Sequence, residues 1–272
     1  MKTEESEEKL TRAQAGNPFE SLVDSMLDIE NVRISKQIRK SHLARDKRVD
    51  AHTDWLLEEL QGLEERIDKR IAGLLEEHPA YPWFSQVKGV GPENIAKVIG
   101  FIDIEKAPTI SSLWKYCGMH VVDGKAPKPQ QGQKLEYNKT LRTMCWRLAT
   151  SLMKAKGLFF GYYLQEKQKY VERYQREGVK IVPSDELPTR VENGKRKKYE
   201  PEGIISEGHV HNQALRKMIK LFLACLWLEW RKAAELAVRS PYVIEKMGHT
   251  TFIDPQSMTD KKPKVRKRAA KS

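Results

Sequence analysis

Cysteine is scarce in this chain of 272 residues: Cys117, Cys145 and Cys225 are far apart, odd in number and form no CxxC pair. That excludes a disulfide framework and a zinc ribbon. Long apolar runs are missing as well. The longest, Leu221 to Leu228, is bounded by Lys220 and Glu229, well short of the ~18 residues a membrane-spanning helix needs, so no membrane partner is expected. The Glu-rich first nine residues lack the basic-then-apolar order of a secretory signal. No Walker-type phosphate loop, HExxH or GxSxG occurs, which removes the commonest ATPase, protease and hydrolase chemistries. No stretch alternates with period two, so the expected fold class is all-α. These absences lead to the expectation of a cytoplasmic protein holding no cofactor.

What the chain has in excess is positive charge. Lys and Arg number 49 against 37 Asp and Glu, a formal net charge of +12, while 39% hydrophobic residues still suffice for a core. Seven of those net charges lie in Lys261–Ser272, KKPKVRKRAAKS, which has no acidic residue. Such a tail is expected to be disordered and to be drawn to phosphates with steep salt dependence, unless it serves only solubility.

Periodicity divides the rest. Residues 1–16 are acidic and aperiodic and read as disordered. Asn17-Pro18 matches an N-cap with proline at the first helical position; Leu22, Met26, Ile29 and Val32 continue at helical spacing toward Arg48. A second helix starts near Thr53 and Asp54, its apolar stripe being Leu56, Leu60, Leu63, Ile67, Ile71 and Leu74, and ends at His78-Pro79. Residues 17–80 are therefore expected to form a helical hairpin or coiled coil. The partner of the stripe is either the helix of residues 20–48 or a second copy of the chain, and a homodimer through residues 20–78 is expected. A helix from Leu158, stopped by Gly178, a basic loop 179–208, and a strongly apolar helix after Asn212, closed by Ser240-Pro241, make up a C-terminal helical region, 158–260.

Residues 81–157 hold the motif. VKGVGPENIAKVIGFI, from Val87 to Ile102, has two glycines flanked by apolar residues, followed by a helix opened by Pro92. This is the pattern of a helix-hairpin-helix. Gly89 and Gly91 permit a tight turn and bare backbone, Val90 packs between the helices, and the next helix aims its unpaired N–H groups outward at a phosphate. Lys88 and Lys97 add charge. The alternative is an ordinary αα-turn with glycine caps. The functional reading requires that corner to be open to solvent and not surrounded by acids. Beyond it lie a Pro/Gly loop bearing Lys125, Lys128 and Lys134, and a helix capped by Asn138 with Lys139 and Arg142 in its first turns.

In order and content, GVGPENIAKVIGFI, LWKYCGMHVVDGK and NKTLRTMCWRLA resemble the C-terminal domain of the IS one-ten/one-sixteen insertion-sequence transposases. The resemblance covers roughly residues 55–157. It implies a coiled-coil hairpin before a helix-hairpin-helix, and DNA handling. Two departures count against an active transposase: family members carry an N-terminal RuvC-like nuclease domain with four carboxylates where this chain has about fifty residues, and the family's nucleophilic serine has no counterpart between Gly118 and Asn138. Asp123 cannot replace it in transesterification. No catalytic residue is therefore assigned; Tyr137, a conceivable nucleophile, reads as packing.

Other candidates each have a plain alternative. His209 and His211 would need a third ligand, such as Glu207 or Asp254, to hold a metal; otherwise they are helix-entry histidines bonded to backbone. Phe159, Phe160, Tyr162 and Tyr163 form either a base-stacking platform or a core stripe. Lys195, Arg196, Lys197 and Lys198, after the turn dipeptide Asn193-Gly194, are a solvated hairpin tip or a contact to a phosphate backbone. The expectation is a DNA-binding protein of a mobile element or phage, gripping duplex backbone with little sequence specificity. The alternatives are a transposase or recombinase subunit aided by a partner nuclease, and an assembly protein that binds RNA or protein.

Overall fold

The computed structural model describes residues 17–122, 124–130, 132–192, 194–238 and 253–260. The acidic leader 1–16, the Ser240-Pro241 stop and the basic tail 261–272 lie outside them. Among the described residues eight α-helices dominate: α1 (Pro18–Arg45), α2 (Ala51–Glu77), α3 (Tyr81–Phe84), α4 (Pro92–Ile99), α5 (Ile110–Tyr116), α6 (Lys139–Ala155), α7 (Leu158–Arg176) and α8 (Glu207–Ala233). Four short strands, β1 (Lys180–Val182), β2 (Thr189–Glu192), β3 (Lys195–Lys198) and β4 (Ile204–Ser206), and a 3-10 turn at Pro255–Met258 complete them. Among the described residues no helix is long and apolar enough to cross a membrane.

The expected 179–208 loop is corrected to two small ladders: β1 pairs parallel with β4, and β2 pairs antiparallel with β3. Gly194, at φ +72°, turns the β2–β3 hairpin. The chain forms two compact units. One comprises residues 17–81 and 91–103, the other 82–90 and 104–260.

In the first unit, α1 and α2 run antiparallel, as the pairs Lys40–Asp54 at 2.7 Å and Arg33–Glu64 at 2.7 Å require. Asn17 caps α1 by accepting from the Phe19 N–H, and its amide donates to the carbonyls of Ile99 and Gly100 at the end of α4. Asp50, not Thr53 or Asp54, caps α2; its carboxylate accepts from the amides of His52 and Thr53. The buried face of α2 is Thr53, Leu57, Ile67, Ile71 and Leu75: Ile67 and Ile71 are buried as expected, while at the two ends Leu57 and Leu75 are buried in place of the expected Leu56 and Leu74. Adjacent leucines made the register ambiguous, and contact with α1 settled it.

The second unit is built on α8. Val210, Ala214, Leu215, Met218, Ile219, Phe222, Leu223, Leu226 and Trp227 are buried along it. Phe222 meets Phe159 of α7 and Trp83 at ring separations of 5.5 and 5.4 Å. Buried Arg231 donates to the carbonyls of Ile104, Ala107 and Ala237, and the Trp227 indole donates to Ala107.

His78 closes α2 in extended backbone, and its Nδ1 accepts from the Ala80 amide at 3.1 Å. Burial lowers its pKa to about 4 from 6.5. The unfolded chain therefore binds a proton that the folded one refuses between those values, so stability should fall as pH drops from 6.5 toward 4, by about 1.4 kcal/mol per pH unit. Urea midpoints across that window should show this slope, and His78→Gln should flatten it; an unchanged slope in the variant would assign the acid sensitivity elsewhere.

Candidate nucleic-acid interface

The glycine turn falls where the chain passes from one unit to the other. Gly89 has φ +93°, a backbone conformation that side chains rarely adopt. A Cβ there would lie 2.7 Å from the Ala155 Cβ, and 3.0 Å from both the Leu152 Cα and the Ser151 carbonyl oxygen. The Ser151 hydroxyl donates to the Gly89 carbonyl at 2.8 Å. This glycine is thus required by close approach to α6, not by a phosphate. The Val90 amide donates to Val87, and the Lys88 amide donates to the Asp260 carboxylate at 2.8 Å. The other oxygen of Asp260 takes the Leu158 amide, at the start of α7, also at 2.8 Å. An internal carboxylate therefore occupies amides of the kind a phosphate would need.

On the other side, Gly91 has an ordinary φ of −82° and nothing within 4 Å of a built Cβ. Glu93 sits in the first turn of α4, where its charge opposes a phosphate. Lys97 is corrected outright: it is 1% exposed, and its ammonium bridges Glu30 at 2.8 Å and Glu93 at 2.5 Å. Glu64, Asp68 and Arg33 complete the lining of the small cavity beside it, and burial, then the Glu93 charge, raises the Asp68 carboxyl. The expected outward corner is therefore sealed at Gly89 and acidic around Lys97. Of its candidates, only Lys88 keeps an exposed side chain.

The basic residues downstream are placed differently. Lys125, Lys128, Lys134 and Lys139 are all exposed and have no carboxylate partner among the described residues. Asn138 caps α6 as expected, its side chain accepting from the Leu141 amide at 2.9 Å. Arg142, one turn on, donates to the Pro127 carbonyl at 2.8 Å, tying down the Pro/Gly loop, and lies 5.0 Å over the Tyr137 ring. Tyr137 is buried, and with Arg142 it crowds the Gly118 turn, where a Cβ would meet the ring at 2.8 Å. It packs, as read from the sequence.

Two α8 cations that sequence reading passed over stand beside these. Arg216 lies 5.7 Å over the Trp146 ring of α6 and reaches the His120 carbonyl at 3.4 Å. Lys220 lies 4.0 Å over the Trp114 ring of α5, whose indole N–H donates to the Lys220 carbonyl at 3.1 Å. Burial, then the Arg142 charge, holds the Arg216 guanidinium below its ordinary value. Burial, then Lys217 and Arg216, lowers Lys220 to about 8. His120 is lowered by burial and by the cations Lys115, Arg142 and Arg216, and its buried Nδ1 has no hydrogen-bond partner. The signal was present as Arg216, Lys217 and Lys220 at helical spacing, masked by the apolar residues between them.

The remaining candidates divide. On β3, Lys197 pairs with Glu192 and Lys198 donates to the Ser184 carbonyl, whereas Lys195 and Arg196 are exposed without an ion pair among the described residues. His209 and His211 lie within α8, not in a loop, and look to different partners: His209 to Glu200 at 2.6 Å, His211 to the Tyr163 hydroxyl at 2.7 Å. Their expected metal alternative is corrected, and no cluster of three candidate ligands occurs among the described residues. Phe159 and Tyr163 are buried against α8, whereas Phe160 and Tyr162 are half-buried, so the aromatic block is a core stripe with partly exposed edges.

Replacing Gly89 by Ala should destabilise the protein by about 2 kcal/mol through strain and collision with α6, whereas Gly91→Ala should stay within ~0.5 kcal/mol. Thermal unfolding of the two variants checks this; equal effects would refute the packing account. Lys97→Met should cost about 3 kcal/mol by removing the buried cation that bridges Glu30 and Glu93, and the folded variant should bind nucleic acid as wild type does in a filter-binding titration. Loss of affinity without loss of stability would return Lys97 to the interface. Compared with protein-family models, with curated proteins and with solved structures, the chain matches none of them.

Proposed function

We propose that the chain is a DNA-binding protein of a mobile genetic element or phage, resembling the C-terminal domain of a transposase, that holds duplex DNA by its phosphates with little regard to base sequence. The observation that carries this reading is the set of exposed lysines Lys125, Lys128, Lys134 and Lys139, unpaired among the described residues and gathered on one loop and the helix start that follows it. Ordinary surfaces intersperse both signs; here, among the described loop residues, Glu136 is the lone carboxylate and it pairs with Lys115 at 3.0 Å. Lysines on a Pro/Gly loop act as mobile point charges, suited to phosphates and not to the bidentate reading of bases. Lys88, Lys195 and Arg196 extend the same sign, while the glycine corner has no part in the grip. Self-association through residues 20–78 belongs to the same reading, with Ile34, Ile38 and Trp55 exposed on α1 and α2.

A gel-shift titration of the full chain against duplexes of unrelated sequence tests it. Affinities should agree within about threefold across sequences and fall steeply with salt. Changing Lys125, Lys128 and Lys134 together to Gln should reduce the slope of log K against log salt by about 3, since each lost phosphate contact contributes ~0.9. Absence of binding at low salt, or a slope unaffected by the triple change, would defeat the proposal.

A further inference from the structure

We propose that Arg142, Arg216 and Lys220 together form a seat for successive phosphates of the bound DNA strand, on the face that α5, α6 and α8 share. This deepens the function proposed above and rests on it. It moves the centre of the contact from the flexible lysines to three cations held on rings.

Three features make this face unlike ordinary basic surface. First, each cation is oriented by an aromatic ring from the sequence-distant part of the same unit or its own loop: Arg142 by Tyr137, Arg216 by Trp146, Lys220 by Trp114. A cation over a ring face keeps its donors pointing away from the ring, with most of its side-chain freedom already lost. Second, no carboxylate pairs with any of the three among the described residues. Burial first, and the neighbouring cations after it, disfavour their charge: Arg142 acts on Arg216, and Lys217 and Arg216 act on Lys220. The first unit treats its cations otherwise, with half-buried Arg33 and fully buried Lys97 each bridged to glutamates. Like charges gathered without a counter-ion are an unfavourable arrangement that a bound polyanion relieves. Third, burial and then Lys115 lower His120, with Arg142 and Arg216 acting in the same direction, and the ring keeps a buried nitrogen without a partner. The indole clip from Trp114 to the Lys220 carbonyl fixes α5 against α8, so the spacing of the seat is set by backbone as well as by side chains.

The arrangement also gives binding a proton signature. Lys217 and Arg216 act on Lys220 from its own helix; α5 presents the neutral Trp114 ring, and α6 contributes Arg142 by way of Arg216. Free Lys220 titrates at about 8, and a seated phosphate favours its charged form. Affinity should therefore be flat below that pH and decline above it, because bound protein must first recover the proton. Arginine at the same place stays charged throughout and should abolish the decline.

The experiment is fluorescence anisotropy of the full chain on a labelled duplex, with a labelled RNA strand in parallel, from pH 7 to 9.5 and at several salt concentrations. The variants are Arg216→Gln, Lys220→Gln and Lys220→Arg, with circular dichroism to confirm folding. The glutamine variants should each weaken binding about tenfold at pH 7, a loss that shrinks as salt rises. Lys220→Arg should bind as wild type at pH 7 and show no decline above pH 8. Wild type that binds DNA while folded glutamine variants match it, or a Lys220→Arg profile that still declines, would overturn the seat and leave the proposed function standing. If a glutamine variant does not fold, the Lys220→Arg profile alone decides. Wild type that binds neither nucleic acid would overturn the function beneath it. Binding confined to RNA, and lost in these variants, would overturn the DNA assignment.

Discussion

Helix α8 is apolar over most of its circumference, and the second unit takes its form from covering it. Residues from Val210 to Trp227 are shielded by α5, α6, α7 and the Trp83 turn. At roughly 25 cal/mol per Å² of apolar surface removed from water, a helix of this kind contributes more than any polar contact in the unit. Packing that closely leaves little freedom elsewhere. Gly89 must be a glycine because α6 lies against it, and Arg231, drawn inside at the end of α8, is met by three carbonyls instead of a carboxylate. The uncovered part of α8 is where Arg216, Lys217 and Lys220 emerge.

Both units contain ion pairs, Lys169–Glu166 and Lys232–Glu229 among those of the second, but they differ at particular cations. In the first, cations that approach the interior are matched by acids: Arg33 by Glu64, Lys97 by Glu30 and Glu93, with Arg39 and Lys40 answered by Asp50 and Asp54 at the surface. In the second, Arg142, Arg216 and Lys220 lie on aromatic faces, and the loop lysines stand in solvent. Exposed ion pairs contribute little to stability, about 0–1 kcal/mol each, so the difference says less about folding than about what each surface presents to a partner. Net charge alone did not distinguish them.

Asp260 shows how one contact redirects a functional reading. Its carboxylate spans the Lys88 and Leu158 amides, and its own amide donates to the Gln86 carbonyl. The local pattern Gly-Val-Gly-Pro is compatible with an anion site, and an anion is there; it belongs to the chain itself, 172 residues away. Sequence distance hid this. The same holds for the partners of Lys97, because Glu30 lies 67 residues before it.

Local signals were legible to within a residue or two: the Asn17 and Asn138 caps, the stop at His78, the span of α7 and the turn at Gly194. Each depends on hydrogen bonds or dihedral preferences within a few residues of chain, and so on neighbours the sequence displays side by side. The helical class and the excess of positive charge were equally open to view. Which face of α2 is buried, whether a glycine turn looks outward, and whether a lysine meets a glutamate or a tryptophan were settled only by folding. Those outcomes depend on which distant segments come together, and a one-dimensional pattern with several nearly equivalent apolar and basic faces leaves that choice to the packing of the whole.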